Sequence, residues 1–239
     1  MVSGEILYHK IGSHHFKFSS DVVSVKKVQE TPCLFEIALE NGTVYHSNKV
    51  IVATTISGIK KIVPGADNKD SIYQQIHGQP FLRLYGKFNK KSADIMKKYV
   101  PNYTIVPGPL QKIIPMDANK GVYMIAYSDN NNAILLKKYL ENTAENRDLF
   151  CDLIEQSLGI PAGSLELVAI KDYYWPIGTH YYEPLKGYKT RSEFVNKVQH
   201  PEKGLLIVGE AVSRYQGWTE GALESVKAVL TKKWIKTEC

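Results

Sequence analysis

The chain has 239 residues, 44% of them hydrophobic and 23% charged, with a net charge of +6. That length suffices for one large core or two smaller ones, and the composition is that of an ordinary globular protein. It contains no apolar run near the ~18 residues of a membrane span, and its start lacks the basic-then-apolar pattern of a secretory signal. Three scattered cysteines, Cys33, Cys151 and Cys239, form neither a disulfide framework nor a zinc knuckle, so a reducing, cytoplasmic setting is expected. The basic excess is spread in pairs such as Lys26-Lys27, Lys60-Lys61 and Lys137-Lys138. This reads as solvated surface, not a nucleic-acid stripe, although it favours an anionic ligand such as a dinucleotide.

In chain order, residues 4–12 predict a short helix and 14–18 a strand. Residues 22–28 and 33–39 alternate apolar and polar, with turns at 29–32 and 40–42. Residues 43–49 then lead into VIVAT (50–54), a continuous β-branched run. The pattern predicts a β-meander feeding a buried strand. Residues 66–79 suggest a helix stopped by Gly78, and 79–88 a strand. A helix follows over 92–100 with Ser92 as its cap. Residues 104–116 and 121–130 predict a strand pair around the Asp117–Gly121 turn. Helices are expected over 131–142 and 145–159, the second ended by Gly159 and Pro161. A strand over 165–175 is followed by a Tyr-rich loop.

The last segment, GLLIVGEAVSRYQGWTEGALESVKAVL (204–230), predicts a buried strand, a sharp turn at Gly209-Glu210, a loop, and a helix opening near Gly217-Trp218. Glu210 stands at the carboxyl end of the strand, where open α/β sheets place ligands. The helix offers backbone N–H groups and a positive dipole end. Gly217, Gly221 and Ala222 remove bulk there, so a planar ligand edge could approach the backbone, with Trp218 as a flat wall. A capped helix packed on a strand, with glycines for close packing, accounts for the same residues.

Gly209-Glu210-Ala211 followed by Gly217-Trp218-Thr219-Glu220-Gly221-Ala222 resembles the C-terminal signature of the flavin-containing amine oxidase family. The resemblance implies FAD as cofactor, with Glu210 near its ribose and pyrophosphate and the Thr219 backbone N–H at the flavin pyrimidine edge. Gly209 and Ala222 complete that contact, and Trp218 forms one wall of a substrate cage. VVSV followed by NGTVYHSNKVIVATT resembles the family's adenine-side block, so Val22 or Val23 takes the adenine contact; Thr55 replaces the family's usual proline. DYYWPIGTHYYEP resembles the loop that supplies the second cage wall, which falls to His180, Tyr181 or Tyr182, with Tyr181 preferred. No cysteine stands in that loop for covalent flavin attachment. The family's lysine on a strand of the substrate domain is matched by Arg83, with Lys112 as a second candidate. An arginine stays protonated but can hold a water or fork a carboxylate.

The resemblance therefore implies an α+β chain. A partial FAD-binding domain, made of the β-meander plus the terminal strand and helix, spans 1–55 and 173–239. A substrate domain of antiparallel sheet and helices is inserted at 56–172. The implied reaction is oxidation of an amine, with hydride transfer to flavin and reoxidation by O₂, the substrate being a small-molecule amine. The chain contains no G-x-G, so the family's glycine-rich phosphate loop is missing. The expectation is a C-terminal portion that needs a separate N-terminal FAD-binding polypeptide, with VIVAT and LLIV left without neighbouring strands. A non-catalytic remnant serving as a binding module is the alternative.

Overall fold

The computed structural model describes residues 4–183 and 185–236. They form a mixed α/β chain of eight helices, two antiparallel sheets and one parallel strand pair. The chain divides into two compact units, Met1–His77 with Tyr182–Cys239, and Gly78–Tyr181.

In the first unit, helix α1 (Gly4–Ile11) precedes the meander β1 (Val22–Glu30), β2 (Cys33–Leu39) and β3 (Val44–Ser47), paired antiparallel in that order. Val25, Cys33, Phe35 and Leu39 are buried, as the alternation requires. Residues 14–18, expected as a strand, form instead a single 3-10 turn, Ser13–His15, followed by irregular backbone. Cys33 is disulfide-bonded, which the reading of three scattered cysteines as reduced did not anticipate.

Strand β4 (Val50–Val52) is followed by α2 (Ile56–Ile62), a helix absent from the sequence reading. Thr55 caps it, its hydroxyl accepting the Gly58 N–H at 3.4 Å. The expected helix over 66–79 shrinks to a 3-10 turn at Ile72–Gln75. From Ile76 the chain extends into β5 (Ile76–Phe88). Gly78 is no helix stop: a Cβ there would lie 2.7 Å from Ile177, so it is a glycine of close strand approach.

The second unit is built on a five-stranded sheet. Its order is β6 (Thr104–Ile105), β7 (Lys112–Asp117), β8 (Val122–Asp129), β5 and β9 (Leu167–Tyr182). β7 and β8 pair antiparallel around the turn at Ala118–Lys120. β5 faces β8 with Arg83 opposite Tyr127. Leu82, Leu84, Phe88, Tyr123 and Ile125 turn inward against α3 (Lys90–Tyr99), α4 (Asn130–Leu136) and α5 (Ala144–Leu158), where Met96, Leu136, Phe150 and Ile154 complete the core. Asn89, not Ser92, caps α3, accepting the Ser92 N–H at 2.8 Å. The Ser92 hydroxyl accepts the Glu166 N–H at 2.9 Å. The Tyr-rich segment is not a loop, since β9 runs through it to Tyr182.

After β9 the chain returns to the first unit with α6 (Arg191–Gln199), β10 (Leu205–Ile207), α7 (Thr219–Val229) and α8 (Lys232–Lys236). VIVAT and LLIV are not left without partners. They pair with each other in parallel, Leu205 opposite Val50 and Ile207 opposite Val52. Val226, Val229 and Trp234 pack on Leu206 and Val208, because helical spacing puts 226 and 229 on one face of α7.

Candidate functional site

The densest constellation lies between β10 and α7. Gly209 has φ +110°, a conformation that excludes ordinary side chains. A Cβ there would meet nothing within 4 Å among the described residues, so the turn's backbone faces open space. Its N–H donates to the Ser225 hydroxyl at 2.8 Å, which ties the turn to α7. Glu210 begins a 3-10 turn, Glu210–Val212. Its carboxylate reaches across the loop to accept the Gly217 N–H at 2.6 Å. That contact closes the loop and brings the carboxylate to the residues just ahead of α7.

Trp218 precedes the first turn of α7 in extended conformation, makes no side-chain capping bond, and is 70% exposed. Thr219 opens the helix beside it. Eleven aligned peptide units place a partial positive charge at that end. Gly221 behaves differently from the sequence reading. Its missing side chain does not clear room for a ligand, because a Cβ there would sit 1.9 Å from the Tyr215 carbonyl oxygen. The loop's own backbone fills that space. Ala222 is half-buried and donates its N–H to the Trp218 carbonyl at 3.2 Å.

The loop rests on an aromatic buttress that no local residue pattern signals. The Tyr182 hydroxyl donates to the Ser213 carbonyl at 2.9 Å. Its ring meets Phe194 edge-on at 5.0 Å, and the Arg191 guanidinium lies 5.3 Å from its centroid. Arg191 also donates to the Arg214 carbonyl at 3.0 Å. Burial pushes the Tyr182 phenol well above its usual pKa. The nearby Arg191 charge opposes that shift and Glu210 adds to it. Tyr182 is thus committed to holding the loop. Of the other two cage candidates, His180 is buried and Tyr181 is 42% exposed.

Arg83 and Lys112 converge on one ring in the second unit. The Arg83 guanidinium carbon lies 3.2 Å from the Tyr127 ring centroid, and the Lys112 ammonium 4.4 Å from it. Arg83 donates to an Asp129 carboxylate oxygen at 3.1 Å and to the Leu82 carbonyl at 2.9 Å. Its side chain is only 11% exposed. Asp129 in turn receives its backbone order from Gln111, whose side-chain oxygen accepts the Asp129 N–H at 2.9 Å. Arg83 is therefore part of a mostly buried ion pair on the less buried side of the sheet. Trp218 and Glu210 belong to the first unit, and Arg83, Lys112 and Tyr181 to the second.

The two adenine candidates part company at a β-bulge. Val22 pairs with Leu39 and Ser24 with Ala38, which leaves Val23 as the extra residue. Val22 lines a cleft of ≈ 580 Å³ that runs along Val50–Thr54. Among the described residues no cluster of His, Cys, Asp and Glu is arranged for a metal ion. No helix among them is long and apolar enough to cross a membrane. No family model matches the chain, and no curated protein matches it.

Proposed function

We propose that this chain is the C-terminal part of an FAD-dependent oxidoreductase of the amine-oxidase type, acting with a separate N-terminal FAD-binding polypeptide. One observation carries the reading. The Glu210–Gly217 closure at 2.6 Å gathers the open Gly209 turn, a carboxylate, a helix N-terminus and an exposed Trp218 on one short loop.

These groups fit one end of a flavin dinucleotide. The open space at Gly209 admits a ligand to the backbone. A carboxylate suits ribose hydroxyls, and N–H groups at the start of α7 suit the heteroaromatic edge. Val22, the residue of the two adenine candidates that keeps its ladder pairing, is proposed for the adenine side. The residues do not supply a phosphate cradle, which is why a second polypeptide belongs to the proposal. FAD, when bound, supplies hydride acceptance from the carbon next to the amine and reoxidation by O₂.

The chain's own contribution is binding and orientation. Trp218 offers a flat apolar face that suits a neutral amine and attracts partial positive charge. Arg83 cannot act as a base, being permanently protonated and paired with Asp129. Its proposed role is to hold the polar groups around Tyr127, beside Lys112. The same Arg83–Asp129 pairing favours the second reading, a non-catalytic binding module, because it occupies the position where the family keeps its lysine.

Titration of FAD into the purified protein decides between them. The protein is measured alone and with a polypeptide that carries a glycine-rich dinucleotide loop. A perturbed visible flavin band that depends on both chains and weakens in Glu210→Ala is the expected result. An unperturbed band with both chains present would sink the flavin reading. Perturbation without turnover of any amine would leave the binding module.

A further inference from the structure

The outer edge of β4 in the parallel pair β4–β10 carries no further strand among the described residues, and we infer that this edge is a docking groove for an extended, aliphatic strand of a second polypeptide. Val50 donates its N–H to Gly204 and Val52 accepts from Val208, both at 2.9 Å. Backbone groups alternate sides along a strand, so those of Ile51 point away from β10. No strand among the described residues occupies that side, since the sheet order is β10–β4 and ends there.

The groove matches a strand in shape and chemistry. Five consecutive residues, Val50 to Thr54, line a cleft of ≈ 580 Å³. Val22, Val25 and Ile37 of the meander and Ile62 of α2 line it as well. Aliphatic side chains thus make up most of the lining, alongside the solvent-exposed charged groups Asp21, Glu40 and Lys61. An occupant needs apolar side chains on its flanks and backbone N–H and C=O groups along its length, which describes a β-branched or leucine-rich strand.

A second copy of this chain does not fit the groove through the same edge. An isologous contact would set β4 against β4, and both edges lie on the floors of concave clefts. A two-stranded sheet is also marginal by itself, and parallel sheets are normally wider and covered on both faces. Addition of a third strand answers both conditions. The partner is the second polypeptide that the proposed function requires, and to that extent the inference rests on that reading; the open edge does not.

The test uses the full chain, without flavin, and a lysine-flanked synthetic peptide that carries Gly-Leu-Leu-Ile-Val-Gly. That segment is the 204–209 sequence, already seen to pair with β4. Hydrogen exchange of the Ile51 and Ala53 amides is expected to slow by about tenfold near peptide saturation. The same peptide with proline at its central isoleucine should give no protection, because it lacks a ladder donor. Ile51→Lys should abolish the protection, a charge on an edge strand being a common block to pairing. Ile51 is 42% exposed, so thermal unfolding of that variant should stay near the parent's. The docking groove is overturned by absent protection, by equal protection from the proline peptide, or by protection of both amides with FAD alone. Concentration-dependent protection without peptide would assign the edge to self-association and also overturn it. Failure of FAD to bind leaves every one of these readouts intact, so the two proposals fail separately.

Discussion

The Glu210 carboxylate and the Gly217 N–H, seven residues apart, close the loop between β10 and α7 with a 2.6 Å hydrogen bond. A charge-assisted bond of this kind is worth about 1.5–3 kcal/mol when sheltered and less when partly exposed. Glu210→Ala should therefore lose roughly 1–2 kcal/mol in urea unfolding. It should also speed exchange of the Gly217 amide. Unchanged exchange at Gly217 would show that the loop is held by Tyr182 and Ser213 alone.

Gly221 and Trp218 are three residues apart and should respond in opposite ways. A methyl at 221 collides with the Tyr215 carbonyl at 1.9 Å, so Gly221→Ala should cost about 3 kcal/mol or force the loop to shift. Trp218 is 70% exposed, and Trp218→Ala should change stability by no more than about 0.5 kcal/mol. Its effect is expected in ligand binding and turnover. A large stability loss in Trp218→Ala would make the indole a packing group.

Tyr123 carries a phenol into the centre of the second unit's core. The residue is fully buried, its ring stands edge-on to Phe88 at 5.8 Å, and its hydroxyl has no hydrogen-bond partner among the described residues. Removing an unsatisfied buried hydroxyl restores the cost of its desolvation, on the order of 1 kcal/mol. Tyr123→Phe should leave the thermal midpoint unchanged or raise it. A clear drop would reveal a partner for the hydroxyl in solution.

Alkaline pH should weaken the fold through Cys151. Burial, chiefly, raises this thiol from 9.0 to about 11. Between those values the unfolded chain releases the proton while the folded chain keeps it. The unfolded state then binds fewer protons, and stability falls as pH rises through that window. Tyr182 and Tyr73 are shifted upward by burial as well and act in the same direction at higher pH. Cys151→Ala should flatten the stability profile above pH 9.0, measured by urea unfolding at stepped pH. The native thiol should also resist alkylation at neutral pH, because the thiolate is the reactive form. An equally steep profile in the variant would shift the whole effect to the tyrosines.

Local pattern was enough for much of the fold. The meander of β1, β2 and β3, the β7–β8 pair around Asp117–Gly121, and α5 with its Gly159 end follow from alternation, turn residues and helical spacing, which act over a few neighbours. The turn at Gly209-Glu210 and the helix opening at Trp218 were legible for the same reason, since a glycine turn and a helix start are local events. The helix expected over 66–79 failed because strand partners far along the chain, including Ile177 against Gly78, pull that segment into β5. The Tyr-rich segment was drawn into β9 in the same way.

Long-range packing alone decided the rest. It paired VIVAT with LLIV across more than half the chain and left the outer edge of β4 open. It filled the space at Gly221 with backbone and turned Tyr182 into a buttress under Ser213. It also set Arg83 and Lys112 over one tyrosine ring. None of these is written in a short window of residues. Each depends on which side chains and backbone groups from distant segments compete for the same buried space, and that competition is settled only when the chain is folded.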